Sequence, residues 1–261
     1  MPNPANKAAH YKQPITALLS TVLFLTMTSV AAAGPHIPEM TVTHGATHCA
    51  NDIQTQSQPQ PHHPKYQSTR QRAMNCMLKE LQAYQQENMS ARQQYFAYKA
   101  QAWLNYAIHQ DSINSRSSAG QQAAQAAETI LTTLKNGKEQ DLNLIQDIPS
   151  NSALMRPDLW ATLNALKDSG GIESAPREIA FSEVALIWAA TNQCERGWRE
   201  SGIHFRMADR WLEQAREAYV NTHDSQTNVA LEELIVSYYK QYETLDASTD
   251  SCRGQVLTPI R

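Results

Sequence analysis

The 261-residue sequence is poor in glycine, with 9 residues in all, poor in aromatics at 7%, and carries only 18% charged residues. Scarce glycine disfavours a fold built on tight β turns, and the accompanying surplus of Ala and Gln favours helix. Charge of one sign is missing as well. The 22 Lys and Arg stand against 25 Asp and Glu, without the basic excess that phosphate-backbone binding requires, so nucleic acid is not an expected partner. Short catalytic signatures are absent: there is no Gly-x-Ser-x-Gly elbow, no His-Glu-x-x-His and no Gly-x-x-x-x-Gly-Lys phosphate loop. No two of the four cysteines are close enough for a Cys-x-x-Cys redox or zinc motif. Nothing in these patterns implies a cofactor.

What the chain does have begins at its N-terminus. Lys7 and Lys12 precede an uncharged run from Ile15 to Ala33, which ends Ala31-Ala32-Ala33-Gly34-Pro35. A positive start, an apolar centre and small residues at an Ala-x-Ala exit are the parts of a secretory signal peptide, here residues 1–33. Cleavage after Ala33 would remove two lysines and no acid, leaving 20 basic and 25 acidic residues and a formal charge of −5. No later stretch is apolar enough to span a bilayer as a helix, so no transmembrane segment is expected after cleavage. The expected location is the periplasm, with outer-membrane association open.

Residues 34–70 read as a disordered linker rich in Pro, Gln and His. His44 and His48 lie beside Cys49, and imidazole with thiolate is donor chemistry for zinc or copper, so these two histidines are the candidate metal ligands. The competing reading is a polar spacer with Cys49 held in a disulfide. Cys49, Cys76, Cys194 and Cys252 are all disulfide candidates in an oxidising compartment, with three pairings open. The arrangement preferred from the layout joins Cys49 to Cys252, tying two extended ends, and Cys76 to Cys194.

Residues 71–247 read as one helical domain, and 248–261 as a C-terminal tail. Between Ser68 and Asp111 there is neither Gly nor Pro, and Met77, Leu81, Tyr84, Asn88, Ala91, Tyr95, Tyr98 and Ala102 form a seam at spacings of three and four. The spacing predicts one long helix, roughly 60 Å if unbroken. Further helices are predicted over 121–135, 157–167, 177–193, 201–221 and 227–245, punctuated by Asn136-Gly137, Pro157 and Ser169-Gly170-Gly171. That makes six or seven helices, no convincing strand pair and an all-α fold. Ala102, Ala107, Ala123 and Ala127 would let helices approach closely, as in tetratricopeptide-type hairpins, although the period is too irregular for a solenoid.

Several blocks carry a family resemblance: Tyr95-Phe96, the run from Lys99 to Ala107, the run from Glu183 to Ala189, Gly197-Trp198-Arg199, and Met207-Ala208-Asp209. Together they resemble the helical N-terminal region of OmpA-type envelope proteins of Gram-negative bacteria, over about residues 70–220. The resemblance implies an envelope location and helical architecture. About 40 residues follow the last matched block, too few for the peptidoglycan-binding domain of those relatives, so none of that domain's binding residues carries over.

The functional expectation is a non-catalytic binding or scaffold module of the cell envelope, with an envelope protein or peptidoglycan-associated component as partner. Trp198, Arg199, Arg206 and Arg210 form the aromatic and basic cluster expected to meet it. Two alternatives belong to other classes. One is a peptidoglycan hydrolase using two carboxylates from Glu183, Glu195 and Glu200; the other is a metal-handling protein using the His-rich tether. The aromatic set Trp103, Tyr106, Trp160, Trp188, Trp198 and Trp211 reads first as core and second as the lining of a sugar or peptide groove.

Overall fold

Serine side chains define where the first helices start. A computed structural model describes residues 68–246 and 252–260. Ser68 accepts a hydrogen bond from the Gln71 amide and opens helix α1, Thr69–Leu81. Ser90 does the same from the Gln93 amide while the Gln93 side chain accepts from the Ser90 amide, a reciprocal box that starts α2, Ala91–Ser112. The single long helix predicted over this stretch is therefore two helices. A short 3-10 turn, Gln82–Tyr84, lies between them. The sequence Ser90-Ala91-Arg92-Gln93 carries the signal for that restart, and it outweighs the permissive absence of Gly and Pro.

Later elements lie close to their predicted places. They are α3, Ala119–Lys135; α4, Pro157–Asp168; α5, Gly171–Ser174; α6, Pro176–Arg196; α7, Trp198–Thr222; and α8, Ser225–Asp246. The described residues thus hold eight α-helices and no strand, only an isolated bridge between Ile148 and Gln255, and the fold is all-α. The count exceeds six or seven because the first helix is split and a four-residue helix occupies the Gly170-Gly171 break.

Side-chain pairs fix the directions. Trp188 stacks on His204 and Phe181 meets Trp211, so α6 and α7 run antiparallel. Gly197 alone joins them, at φ +88° and ψ −178°, a conformation essentially restricted to glycine. At the other hairpin Gly120 lies where a Cβ would stand 2.7 Å from the Gln110 Cβ, which allows α2 and α3 to close on each other. The two hairpins meet through their first helices. Tyr95 reaches Glu183, Tyr106 stacks on Trp188 and Arg196 reaches Gln110, so α2 and α6 run side by side in the same direction. Alanines at 97, 100, 102 and 107 of α2 and at 180, 185, 189 and 190 of α6 are buried, which suits close packing of these helices. Helix α8 packs antiparallel on α4, with Asn164 donating to Tyr242 and Tyr238 donating to Asp168.

Residues 252–260 fold back on this frame. Gly254, at φ +73°, sits where a Cβ would be 2.6 Å from the Ile148 carbonyl oxygen, and its amide donates to the Ser152 carbonyl. Leu257 is buried, the Ile260 amide donates to Tyr238, and the Gln241 side chain donates to Thr258. This return carries Cys252 to the end of α6, where it is bonded to Cys194 with Cα atoms 5.9 Å apart. The preferred arrangement of Cys49 with Cys252 and Cys76 with Cys194 is thereby corrected. The tail is docked against the helices rather than extended, so its cysteine meets a helical one. Cys76 is also disulfide-bonded. Cys49, His44, His48, the signal segment and the linker up to residue 67 lie outside the described residues.

Candidate functional site

Two polar clusters lie along the α2–α6 pair. Toward the start of both helices, Glu183 of α6 is completely buried, and each carboxylate oxygen meets a lysine. Oε1 accepts from Lys167 of α4 at 2.6 Å; Oε2 lies 2.8 Å from Lys99 of α2 and accepts from the Tyr95 hydroxyl at 2.5 Å. Lys99 stands one turn from Tyr95 and also donates to its oxygen. Burial would raise the Glu183 carboxyl, but Lys167 and Lys99 outweigh it and hold the group at about 2. Burial pulls the Lys99 ammonium below its ordinary value, Glu183 opposes that shift and Lys167 adds to it. Burial, with the Glu183 charge beside it, raises the Tyr95 phenol.

That geometry takes Glu183 out of the pair of sugar-cleaving carboxylates. A general acid acting on a glycosidic bond is a carboxyl with a raised pKa facing substrate. Glu183 is a sealed carboxylate that binds two cations. Glu195 accepts from Ser117, and Glu200 pairs with Arg196 at 3.2 Å.

Toward the other end of the same helices the polar groups are not saturated. Trp188 of α6 stacks against Tyr106 of α2 at 4.5 Å and against His204 of α7 at 4.0 Å, with His109 of α2 tilted at 5.3 Å. Burial, then the charge of His109, lowers the His204 imidazole to about 4. Trp188 Nε1, Asn192 Oδ1, His204 Nδ1 and Gln110 Nε2 are buried without a hydrogen-bond partner among the described residues. Arg196 joins this end to the α2–α3 turn, donating to Gln110 Oε1 and to the Ser115 hydroxyl. Beside it opens a polar cavity of about 220 Å³, lined by Arg70, Gln110, Asp111, Ser115 and Ser117 among others. A second cavity of about 390 Å³ lies between α4 and α8, lined by Ile235, Val236 and Tyr239 with Asp158, Lys240 and Glu243 at its margin.

The expected partner residues all belong to α7. Trp198 is its first residue, and its side chain lies outside what is described. Arg199, Arg206 and Arg210 are exposed and share one face by helical spacing. Between them that face carries Ile203, 55% exposed, and Met207, 43% exposed. Sequence reasoning found the arginines and missed these two apolar residues, although spacings of four, three and one from their neighbours placed them on the same stripe. Most of the aromatic set is core: Trp103, Tyr106 and Trp160 are buried, and Trp188 and Trp211 are partly so. Trp211 lies under the Arg177 guanidinium at 5.3 Å.

Among the described residues no group of three or more His, Cys, Asp and Glu is placed to hold a metal ion, and no helix is long and apolar enough to cross a membrane. No family model, curated protein or solved structure matches the chain.

Proposed function

We propose that this protein is a non-catalytic binding or scaffold module of the Gram-negative cell envelope, exported to the periplasm, which engages its partner through the exposed face of α7. The observation that carries the reading is the stripe Arg199, Ile203, Arg206, Met207 and Arg210, where exposed apolar side chains alternate with guanidinium groups. Exposed apolar groups rimmed by charge mark interaction surfaces, and Arg is enriched at their energetic centres. The signal-peptide pattern and the resemblance to the helical region of OmpA-type proteins supply the compartment. An envelope protein or peptidoglycan-associated component is the partner that fits that compartment.

The test is co-sedimentation of the purified full chain with peptidoglycan sacculi and, separately, with outer-membrane fractions. Wild-type protein is expected to pellet with at least one of them, and the double change Arg206→Glu/Arg210→Glu is expected to remain in the supernatant while keeping its helical circular dichroism. Both residues are exposed, so their replacement leaves the core untouched. Failure of the wild type to pellet with either fraction, or equal pelleting of the variant, would overturn the proposal.

A further inference from the structure

The cavity at the α2–α3 turn contains two opposite charges that do not meet. Arg70 of α1 and Asp111 of α2 both line it, yet no ion pair joins them, and neither makes one with any other described residue. Among the described residues the Asp111 carboxylate accepts from the Ser68 hydroxyl alone, at 3.1 Å. Arg70 is exposed and Asp111 half-buried, so both charges are accessible to whatever enters the cavity. A simple anion would be attracted to Arg70 and repelled by Asp111; a simple cation would meet the reverse. A zwitterion satisfies both.

The floor of the cavity adds a second observation. Gln110 is 3% exposed; its Oε1 accepts from Arg196, while its Nε2 has no partner among the described residues. Ser115 accepts from Arg196 and from the Ser117 amide, which leaves its own hydroxyl proton to donate. The apolar side is small, formed by Ala107 and Gly120. At about 220 Å³ the space is below the roughly 300–1,000 Å³ typical of drug-sized ligands, and suits an amino acid or dipeptide.

We infer that this cavity binds a small zwitterion, a free amino acid or dipeptide, with its carboxylate on Arg70 and its ammonium on Asp111. The site uses no residue of α7 and does not rest on the proposed partner face. Gly120 is part of its construction, since a side chain there would press on Gln110.

The experiment is isothermal titration of the purified full chain with D-alanine, L-alanine and D-alanyl-D-alanine, alongside N-acetylalanine and alaninamide, which each lack one charge. Saturable binding of at least one zwitterion is expected, at least tenfold weaker for both blocked compounds. Arg70→Gln and Asp111→Asn are each expected to weaken it at least tenfold with circular dichroism unchanged, because Arg70 is exposed and Asp111 only half-buried. Absence of saturable binding at millimolar concentration overturns the assignment. So does equal binding of a blocked compound, or affinity unchanged in both variants.

Discussion

The two ends of the α2–α6 pair are built from different polar residues and match them to opposite degrees. At the Glu183 end, one carboxylate, two ammonium groups and a phenol are sealed together, with both carboxylate oxygens engaged. At the Trp188 end, an indole, an imidazole and two amide side chains each retain a buried atom with no partner among the described residues, and a polar cavity opens beside them. Buried polar groups are normally matched, so the saturated cluster reads as the part that specifies the fold. The unsaturated cluster leaves donors and acceptors sealed without partners among the described residues, a cost of about 1–3 kcal/mol each that the fold carries. Two titratable clusters on one helix pair therefore deserve different experiments.

The largest effect is expected from Glu183→Gln. It leaves Lys99 and Lys167 buried without a counter-charge, and removing one member of a buried ion cluster costs about 3–5 kcal/mol. Chemical denaturation should show it as a fall in midpoint with unchanged slope; a loss under about 1 kcal/mol would break the claim that this end specifies the fold. Next is the Cys194–Cys252 bond, which closes a span of 58 residues. Chain-entropy arguments put its contribution at up to about 4 kcal/mol, and Cys194→Ser/Cys252→Ser should lower the melting temperature and leave the 252–260 return open to proteolysis. Resistance of that return in the variant would show that Leu257 and Gly254 hold it without help.

A smaller effect sharpens the charge count. Lys99→Met leaves Glu183 paired one-to-one with Lys167, and burial already disfavours the Lys99 ammonium. Its cost should be less than that of Lys167→Met under the same denaturation conditions. Equal costs would mean that both ammonium groups are equally required.

The pH dependence separates the two ends. His204 is lowered from 6.5 to about 4, so the folded state favours the neutral ring; as pH falls from 6.5 to 4 the unfolded chain takes up the proton first and stability drops. Glu183, lowered from 4.5 to about 2, contributes above pH 4.5 and loses that contribution only as pH falls toward 2. His204→Phe should flatten the upper stretch of the melting-temperature profile and leave the lower one intact. An unaltered profile between pH 6.5 and 4 would remove His204 as its cause.

Much of this fold is legible in the sequence because its punctuation is local. Asn136-Gly137 and Pro157 end or start helices by their own backbone preferences, with Gly137 at φ +64°. The Ser90–Gln93 box was equally local, but the continuous seam drawn through Tyr84, Asn88 and Ala91 hid it. The Glu183 cluster was not legible. Its members come from α2, α4 and α6, up to 88 residues apart, and only the one-turn spacing of Tyr95 and Lys99 hints at a shared face. The cysteine pairing was hidden for the same reason, since it depends on how the tail returns. The α7 stripe could be read because helical spacing alone gathers Arg199, Arg206 and Arg210. The Arg70–Asp111 cavity could not, because it depends on how α1 lies against α2.

The claim that α7 is the working surface is tested most directly by photocrosslinking in intact Gram-negative cells, with the probe residue at Ile203 and, as control, at the exposed Gln125 of α3. An adduct to an envelope component that forms from position 203 and not from 125 is the predicted result. Adducts of equal yield from both positions, or none from 203 at normal expression, would contradict it.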